Sequence, residues 1–209
     1  MRLTWFGHHS FRIEYADKAL YLDPYAGEQE WYDRPANLVL ISKDDYDHWS
    51  RALLAKISID GTHVFGPPDV SRDILGCKPF TPGESLTFED NTMILATEAT
   101  ARTRTTVERS LGWLLVIEGR RVYFAGDTGT TQNLLNIKAD VVIIPVGTLA
   151  MPAKAAADAV KIIKPRLAIP THYGRLSGTL DDAELFKELV ETSRETQVVI
   201  LEPGKAVEF

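Results

Sequence analysis

Three apolar segments of this chain are each followed at once by side chains that can bind a metal ion. They are, in chain order, Ile41-Ser42-Lys43-Asp44-Asp45-Tyr46-Asp47-His48, Phe124-Ala125-Gly126-Asp127-Thr128-Gly129 and Ile169-Pro170-Thr171-His172-Tyr173-Gly174. Loops at strand ends are where α/β folds assemble sites, because the sheet holds such loops rigidly. We therefore expect the polar residues of the three segments to belong to one site.

Two carboxylates and two imidazoles stand out in these segments, from Asp47, His48, Asp127 and His172. Four nitrogen and oxygen ligands suit one divalent ion, Zn²⁺ first, with Mn²⁺ or Fe²⁺ as alternatives. An ion in such a site lowers the pKa of water and lets hydroxide attack a carbonyl or phosphoryl centre, so the pattern predicts hydrolysis. Asp47 or Asp127 would orient that water or accept its proton.

Each segment taken alone also has a structural interpretation. Asp47 could cap the helix that follows it, and Asp127 in Gly-Asp-Thr-Gly is often a turn residue. His172 after a strand is often a packed, hydrogen-bonded histidine. The metal interpretation depends on all three segments occurring together, each at the end of a strand.

The elements expected to position these residues are mostly strands in the first half and alternating strands and helices in the second. Strands are predicted at 3–6, 10–15, 18–22, 37–41, 63–65, 85–88, 92–96, 111–117, 121–125, 140–145, 167–170, 198–201 and 206–209. Helices are predicted at 51–57, 69–75, 153–163 and 181–193, the last begun by Thr179 or Asp181 as a cap. Such a mixture needs helices that cover sheets.

The composition is that of an ordinary globular protein. A chain of 209 residues suits one domain or a compact two-halved one, and we expect residues 1–209 to form a single domain. The formal net charge of -6 argues against a nucleic-acid partner. No stretch approaches about 18 unbroken apolar residues, which predicts no membrane partner. The single cysteine, Cys77, and the absence of a signal-like N-terminus favour the cytoplasm.

Five short motifs, in order from residue 3 to about 174, resemble the metallo-β-lactamase superfamily. They are Gly7-His8-His9-Ser10-Phe11, Leu22-Asp23-Pro24, Gly126-Asp127-Thr128-Gly129, Ile144-Pro145-Val146-Gly147 and Pro170-Thr171-His172-Tyr173-Gly174. The chain is most similar to the branch of metal-dependent hydrolases that includes ascorbate-phosphate lactonase. The resemblance implies an α+β fold, a four-layered αββα sandwich with metals at one edge of its sheets.

The chain departs from the family signature His-x-His-x-Asp-His. Lys43 and Asp45 replace the two leading histidines, and Asp47 and His48 are kept. A further family histidine, expected after the strand at 92–96, is absent, and Thr100 or a neighbour takes its place. By the resemblance, these losses fall on the first metal of a pair. Asp47, His48 and His172 would bind the second metal, and Asp127 would bridge the two.

Three interpretations of this departure remain open. In the first, one ion binds to the four kept residues and the ammonium of Lys43 replaces the missing cation. In the second, Asp45 and Glu98 rebuild a first site from oxygen ligands, which favours a harder ion such as Mn²⁺ or Mg²⁺. In the third, no ion binds, and Lys43 forms salt bridges with Asp45 or Asp127.

The sequence thus predicts a metal-dependent hydrolase of a small ester-, lactone- or phosphate-type molecule, including anionic ones. Catalysis is assigned to Asp47, Asp127 and Lys43, with Asp45 as an added candidate ligand. Substrate contacts are assigned to His8, Tyr173 and Arg102, the last by charge-assisted bonds. The alternative is a non-catalytic relative that binds a ligand or partner. Nuclease action is disfavoured by the net charge and by the loss of one metal's ligands.

Overall fold

Two seven-stranded mixed sheets carry the fold in the computed structural model, which describes residues 1–102, 107–148, 151–174 and 178–209, with Arg102 described by its backbone alone. The chain divides into two compact units. Unit 1 consists of Met1–Phe80 and Leu201–Phe209, and unit 2 is Thr81–Ile200. The C-terminal residues therefore complete the unit that the N-terminus begins.

Unit 1 contains seven strands, two α-helices and one 3-10 helix, the last at Gln29–Trp31. Its strands are β1 (Arg2–Gly7), β2 (Ser10–Tyr15), β3 (Lys18–Leu22), β4 (Leu38–Leu40), β5 (His63–Gly66), β6 (Cys77–Pro79) and β14 (Ala206–Glu208). Its helices are α1 (Arg51–Ile57) and α2 (Pro68–Asp73). The strand order is β14-β1-β2-β3-β4-β5-β6.

Unit 2 contains seven strands and three helices among its described residues. The strands are β7 (Ser85–Thr87), β8 (Met93–Arg102), β9 (Val107–Ile117), β10 (Arg120–Phe124), β11 (Val141–Pro145), β12 (Leu167–Thr171) and β13 (Gln197–Val198). The helices are α3 (Gln132–Leu135), α4 (Ala153–Ile163) and α5 (Leu180–Glu191). The strand order is β13-β12-β11-β10-β9-β8-β7.

Both sheets use the same sequence of pairings. In unit 1 the pairs from β14 to β3 are antiparallel and those from β3 to β6 are parallel. In unit 2 the pairs from β7 to β10 are antiparallel and those from β10 to β13 are parallel. Parallel neighbours end at the same edge of a sheet, so within each unit the loops after the parallel strands share one edge.

The parallel strands read as unbroken apolar runs because both of their faces are covered. All five residues of β11 and all five of β12 are buried, which is typical of strands enclosed on both sides. In unit 1, β4 packs into a buried cluster with α1 and α2, in which Val39, Leu53 and Val70 take part. These rigid strands hold the loops that carry the candidate site.

Helix ends follow the capping residues of the sequence. Thr179 caps α5, and its side chain and that of Asp182 form a reciprocal capping box. The prediction that Thr179 or Asp181 begins this helix is confirmed for Thr179. Helix α4 ends at Lys164, which adopts a left-handed conformation with φ 55° just before Pro165. The helices predicted at 51–57 and 153–163 match α1 and α4 at both ends.

Three short elements were not predicted, namely the 3-10 helix, β6 and α3. Each spans three or four residues, which is too few for a periodic pattern to appear. Strand β8 also extends past the predicted end at residue 96 as far as Arg102. Its last residues, Thr97–Arg102, pair with Val107–Gly112 of β9, a strand that itself begins four residues before its predicted start. The partner strand therefore sets the length of β8.

Within the described part of the chain, no helix combines the length and apolar character needed to cross a membrane.

Candidate metal centre

A buried aspartate and serine hold His48 in unit 1. Asp23 follows β3 directly, and Ser42 and His48 lie in the loop after β4. His48 Nδ1 lies 2.9 Å from Asp23 Oδ2 and 3.0 Å from Ser42 Oγ. All three residues are 0% exposed. The parallel pairing of β3 with β4 brings the two loops together at one edge.

Asp47 lies between two imidazoles of the same unit. Its Oδ2 accepts a hydrogen bond from His8 Nε2 at 3.0 Å, and its Oδ1 lies 3.8 Å from His48 Nε2. Burial alone would raise the pKa of Asp47. The hydrogen bond from His8 and the charges of His48 and His8 outweigh burial and lower that pKa to about 2. Asp47 is therefore a carboxylate at any physiological pH.

Local hydrogen bonds shape the loop that carries Asp47 and His48. The backbone N–H of His48 donates to Asp45 O, which closes a turn. Ser50 N–H donates to Pro24 O at 3.0 Å, and the Ser50 side chain caps α1. The residue that begins α1 is thus Ser50. The structural interpretation of Asp47 as the cap is wrong, because Asp47 lies three residues too early and bonds His8 instead.

In unit 2, Asp127 and His172 come together. Asp127 lies three residues beyond β10 and His172 one residue beyond β12, on either side of β11 in the sheet. His172 Nε2 lies 2.8 Å from Asp127 Oδ1, with 8% and 16% of the two side chains exposed. Forty-five positions apart in sequence, the two residues meet because their strands are parallel and end at the same edge.

Backbone conformation fixes both of these side chains. Gly126 has φ 65°, and a Cβ there would lie 2.4 Å from Leu111 O, so glycine is required just before Asp127. His172 itself has φ 67°, and His8 in unit 1 has φ 48°. Residues other than glycine are uncommon in this left-handed region, and those that adopt it cluster at functional sites.

Both pairs of side chains fit a divalent ion by chemistry and by spacing. Two ligands of a tetrahedral ion, each about 2.0–2.1 Å from it, lie ~3.3 Å apart. The Asp127–His172 separation of 2.8 Å and the Asp47–His48 separation of 3.8 Å bracket that value. A shift of about half an ångström in each pair would bring it to the tetrahedral spacing. Nitrogen and carboxylate oxygen are the ligand types that zinc, manganese and iron accept.

A family model described as the beta-lactamase superfamily domain matches residues 2–172. The chain belongs to the metallo-β-lactamase superfamily. It is 27% identical to a UPF0173 metal-dependent hydrolase of Pyrobaculum calidifontis, over 100% of both chains. It is 29% identical to a UPF0173 protein of Pyrococcus abyssi, over 93% of this chain and 92% of the relative. The membership predicted from the short motifs is confirmed.

Solved structures share the fold. A metallo hydrolase from Ignicoccus hospitalis matches with a TM-score of 0.84 and 25% identity, over 100% of this chain and 98% of the other. An isothiocyanate hydrolase from Delia radicum gut bacteria matches with a TM-score of 0.80 and 15% identity, over 100% and 99% of the two chains. The predicted α+β fold of the metallo-β-lactamase class is confirmed.

The residues that replace the superfamily's leading histidines pair with each other. Lys43 Nζ lies 3.1 Å from Asp45 Oδ2, with 14% and 38% of the side chains exposed. Of the two partners predicted for Lys43, the pair with Asp45 is confirmed. Asp45 Oδ1 also accepts the backbone N–H of Tyr46 at 2.8 Å. Both oxygens of Asp45 thus contact groups of its own loop.

Glu98, the other carboxylate considered for a rebuilt first site, bonds within unit 2. It accepts hydrogen bonds from Asn133 Nδ2 at 2.7 Å and Thr100 Oγ1 at 3.2 Å. It is exposed on β8, beside an open groove of about 380 Å³ that is also lined by Thr97 and Ile137. These bonds account for both of its oxygens without an ion.

The residues assigned to substrate contact have different settings. His8 and Tyr173 are buried, with 8% and 7% of their surface exposed. His8 Nε2 bonds Asp47 Oδ2 at 3.0 Å, and its assignment to substrate contact stays a prediction. Arg102 ends β8, and its side chain lies outside the described part of the structure.

Sequence reasoning passed over Ser42 and His9. Ser42 Oγ donates to Asp23 Oδ2 at 2.5 Å, beside His48. His9 is 0% exposed, and its ring stacks on that of His48 with centroids 5.3 Å apart. A signal existed for both residues. Ser42 directly follows a buried strand, and His9 lies inside a motif of the superfamily.

Proposed function

We propose that this chain is a metal-dependent hydrolase that uses one divalent ion, with Asp47, His48, Asp127 and His172 as its ligands. The observation that carries the proposal is the 2.8 Å approach of His172 Nε2 to Asp127 Oδ1 at one edge of the second sheet. Asp47 and His48 add the same two ligand types in unit 1. The names of the UPF0173 relatives and of the Ignicoccus hospitalis protein support metal-dependent hydrolysis.

The side chains suit the binding and orientation of water beside such an ion. When bound, the ion would lower the pKa of water and polarise a carbonyl or phosphoryl oxygen. Asp47, whose pKa falls to about 2, is ionised at neutral pH and accepts hydrogen bonds. Its bond to His8 fixes the carboxylate's orientation. Asp47 or Asp127 would orient that water or accept its proton.

Zinc is the ion that we propose, because the four ligands are two imidazoles and two carboxylates. Mn²⁺ and Fe²⁺ accept the same ligands and are the alternatives. The substrate is a small ester, lactone or phosphate compound, with anionic molecules included. Lys43 would supply positive charge for the substrate oxygen in place of the second ion. With a net charge of -6, the chain suits no nucleic-acid partner, and we place the reaction in the cytoplasm.

Metal content is the direct test. We expect protein purified without chelator, or incubated with Zn²⁺ or Mn²⁺ and then desalted, to hold about one ion per chain by elemental analysis. His172→Ala should lower metal affinity by at least the 10–100-fold that loss of a supporting residue costs, since it removes a ligand. His63→Ala is the matched control, because His63 is an exposed histidine at the start of β5. Wild-type protein without metal above trace would overturn the proposal.

The Lys43–Asp45 ion pair favours a second candidate, a non-catalytic relative that binds a ligand or partner. Two of the superfamily's histidines are here replaced by residues that neutralise each other at 3.1 Å. This candidate predicts no turnover of ester, lactone or phosphodiester panels and little change of stability in His172→Ala. Turnover that His172→Ala abolishes and His63→Ala preserves would exclude it.

A further inference from the structure

Asp23 is a buried carboxylate that directly follows β3. It is 0% exposed and adopts φ 42°, a left-handed conformation that non-glycine residues rarely take. A buried carboxylate is costly unless its oxygens are hydrogen-bonded. Asp23 therefore combines a buried carboxylate with an uncommon backbone conformation.

The Asp23 carboxylate is contacted by groups of the loop that carries His48. Oδ1 accepts Ser42 N–H at 2.7 Å. Oδ2 accepts Ser42 Oγ–H at 2.5 Å and lies 2.9 Å from His48 Nδ1. Three donors thus converge on two oxygens, and one of the donors is the imidazole.

These contacts determine which nitrogen of His48 carries the proton. A carboxylate oxygen accepts and cannot donate, so the proton of a neutral imidazole lies on Nδ1. Ser42 Oγ, 3.0 Å from the same nitrogen, already directs its hydrogen to Asp23. The lone pair of the neutral ring is then on Nε2, which lies 3.8 Å from Asp47 Oδ1.

We propose that Asp23, together with Ser42, is a positioning residue that fixes His48 as the Nδ1–H tautomer and so presents Nε2 to a divalent ion. The inference rests on the proposed metal-dependent function. A carboxylate that accepts from the distal nitrogen of a ligating histidine sets its tautomer and ring orientation and raises its basicity. Asp23 does this without contacting the ion or the substrate.

The equivalent position of unit 2 supports this division of roles. Strands β3 and β10 hold the same place in their sheets, each being the last antiparallel and first parallel strand. Asp23 follows β3 and is fully buried, whereas 16% of the Asp127 side chain after β10 is exposed. Asp127 meets an imidazole through Nε2, and Asp23 meets one through Nδ1.

Backbone contacts hold the aspartate in place independently of its side chain. Ser10 Oγ donates to Asp23 O at 2.5 Å and accepts Tyr25 N–H and Ala26 N–H. Asp23 N–H donates to Leu40 O at 3.0 Å. The loop after β3 is therefore fixed by groups that a change in the Asp23 side chain leaves intact, so the Asp23→Asn variant should fold.

The first test determines the tautomer of His48 in the wild-type protein. Nitrogen-15 NMR of metal-free, histidine-labelled protein distinguishes the two neutral tautomers, and His48→Gln identifies the His48 signals. We expect the proton of His48 on Nδ1. A proton on Nε2 overturns the proposal.

The second test measures metal affinity by competition with a chromophoric chelator, using Zn²⁺ as the probe. In Asp23→Asn one oxygen becomes an NH2 group. Oδ1 and Oδ2 both face donors, so either amide orientation sets donor against donor or forces the His48 proton to Nε2. We expect 10–100-fold weaker binding for Asp23→Asn and a smaller loss for Ser42→Ala.

Asp33→Asn is the matched control, because Asp33 is a largely exposed aspartate of unit 1 that pairs with Arg12. It should bind Zn²⁺ as wild type does. Unchanged affinity in Asp23→Asn, or equal loss in Asp33→Asn, overturns the positioning role. Wild-type protein that binds no ion overturns the proposed function itself, an outcome that the wild-type titration alone identifies.

Discussion

The two units share one strand plan but use the end of its central strand differently. In unit 1 the residue after β3 is Asp23, which has a left-handed backbone conformation. Its side chain is fully buried and contacts Ser42 and His48. In unit 2 the left-handed residue after β10 is Gly126, and Asp127 follows it with part of its surface exposed. The left-handed position thus differs by one residue, and it coincides with the buried aspartate in unit 1 but precedes the partly exposed aspartate in unit 2.

The largest expected effect on stability is at Gly126, the left-handed residue before Asp127. Gly126→Ala should lower the free energy of unfolding by about 2–4 kcal/mol, since it combines a strained φ with a clash against Leu111 O. Gly119→Ala is the control, with φ 76° but open space around its Cβ, and should cost about 1 kcal/mol. Urea unfolding measures both. Equal losses would mean that the close approach to Leu111 does not set this turn.

In unit 1, the pKa of Asp47 tests whether His8 stabilises this carboxylate. In metal-free protein, removing the hydrogen bond in His8→Ala should raise the pKa of Asp47 from about 2 toward the ordinary value. Carbon-13 NMR of the carboxyl group checks this value. An unshifted pKa in His8→Ala, or an equal rise in His63→Ala, would contradict the assigned cause.

The same shift has a consequence for acid stability. Because the folded-state pKa lies below the unfolded one, Asp47 stabilises the fold fully above pH ~3.9, and this contribution of about 2 kcal/mol disappears as the pH falls through about 2. In His8→Ala the contribution should be smaller, because the two pKa values lie closer together. Stability of both proteins measured between pH 2 and pH 6 tests the sign.

Removing a helix cap should cause a smaller loss of stability, and the loss should differ between the two units. Thr179→Ala removes a full capping box from α5 and should cost about 1 kcal/mol. Ser50→Ala removes a single, longer bond of 3.5 Å to Leu53 N and should cost less, ~0.5 kcal/mol. Thermal unfolding of the two variants compares them. A larger loss in Ser50→Ala would show that the bond from Ser50 to Pro24 depends on the side chain.

The smallest effect is expected at the Lys43–Asp45 pair. Partly exposed ion pairs contribute little, so Lys43→Ala and Asp45→Ala should each change stability by less than about 1 kcal/mol. A double-mutant cycle measures their coupling, and Lys56→Ala serves as a control for loss of a lysine. Coupling well above 1 kcal/mol would mean that the pair is part of the fold's framework rather than a local neutralisation.

Much of the candidate site was predictable because its residues follow apolar strands. Asp47, His48, Asp127 and His172 are each placed by a strand end that the sequence reveals. The extension of β8 was not predictable, because it depends on pairing with β9 rather than on a local pattern. The partner of Glu98, Asn133, was equally hidden, since it lies 35 positions away in an unpredicted four-residue helix.

The sequence alone determined the superfamily, the order of the strands along the chain and the identity of the candidate metal ligands. Tertiary structure decided which atoms of those residues meet. Only parallel pairing of β3 with β4 brings Asp23 to His48, and only the shared edge after β10 and β12 brings Asp127 to His172. The physical reason is that side-chain type is a local property, whereas a hydrogen bond between distant positions exists only once a sheet has fixed both loops.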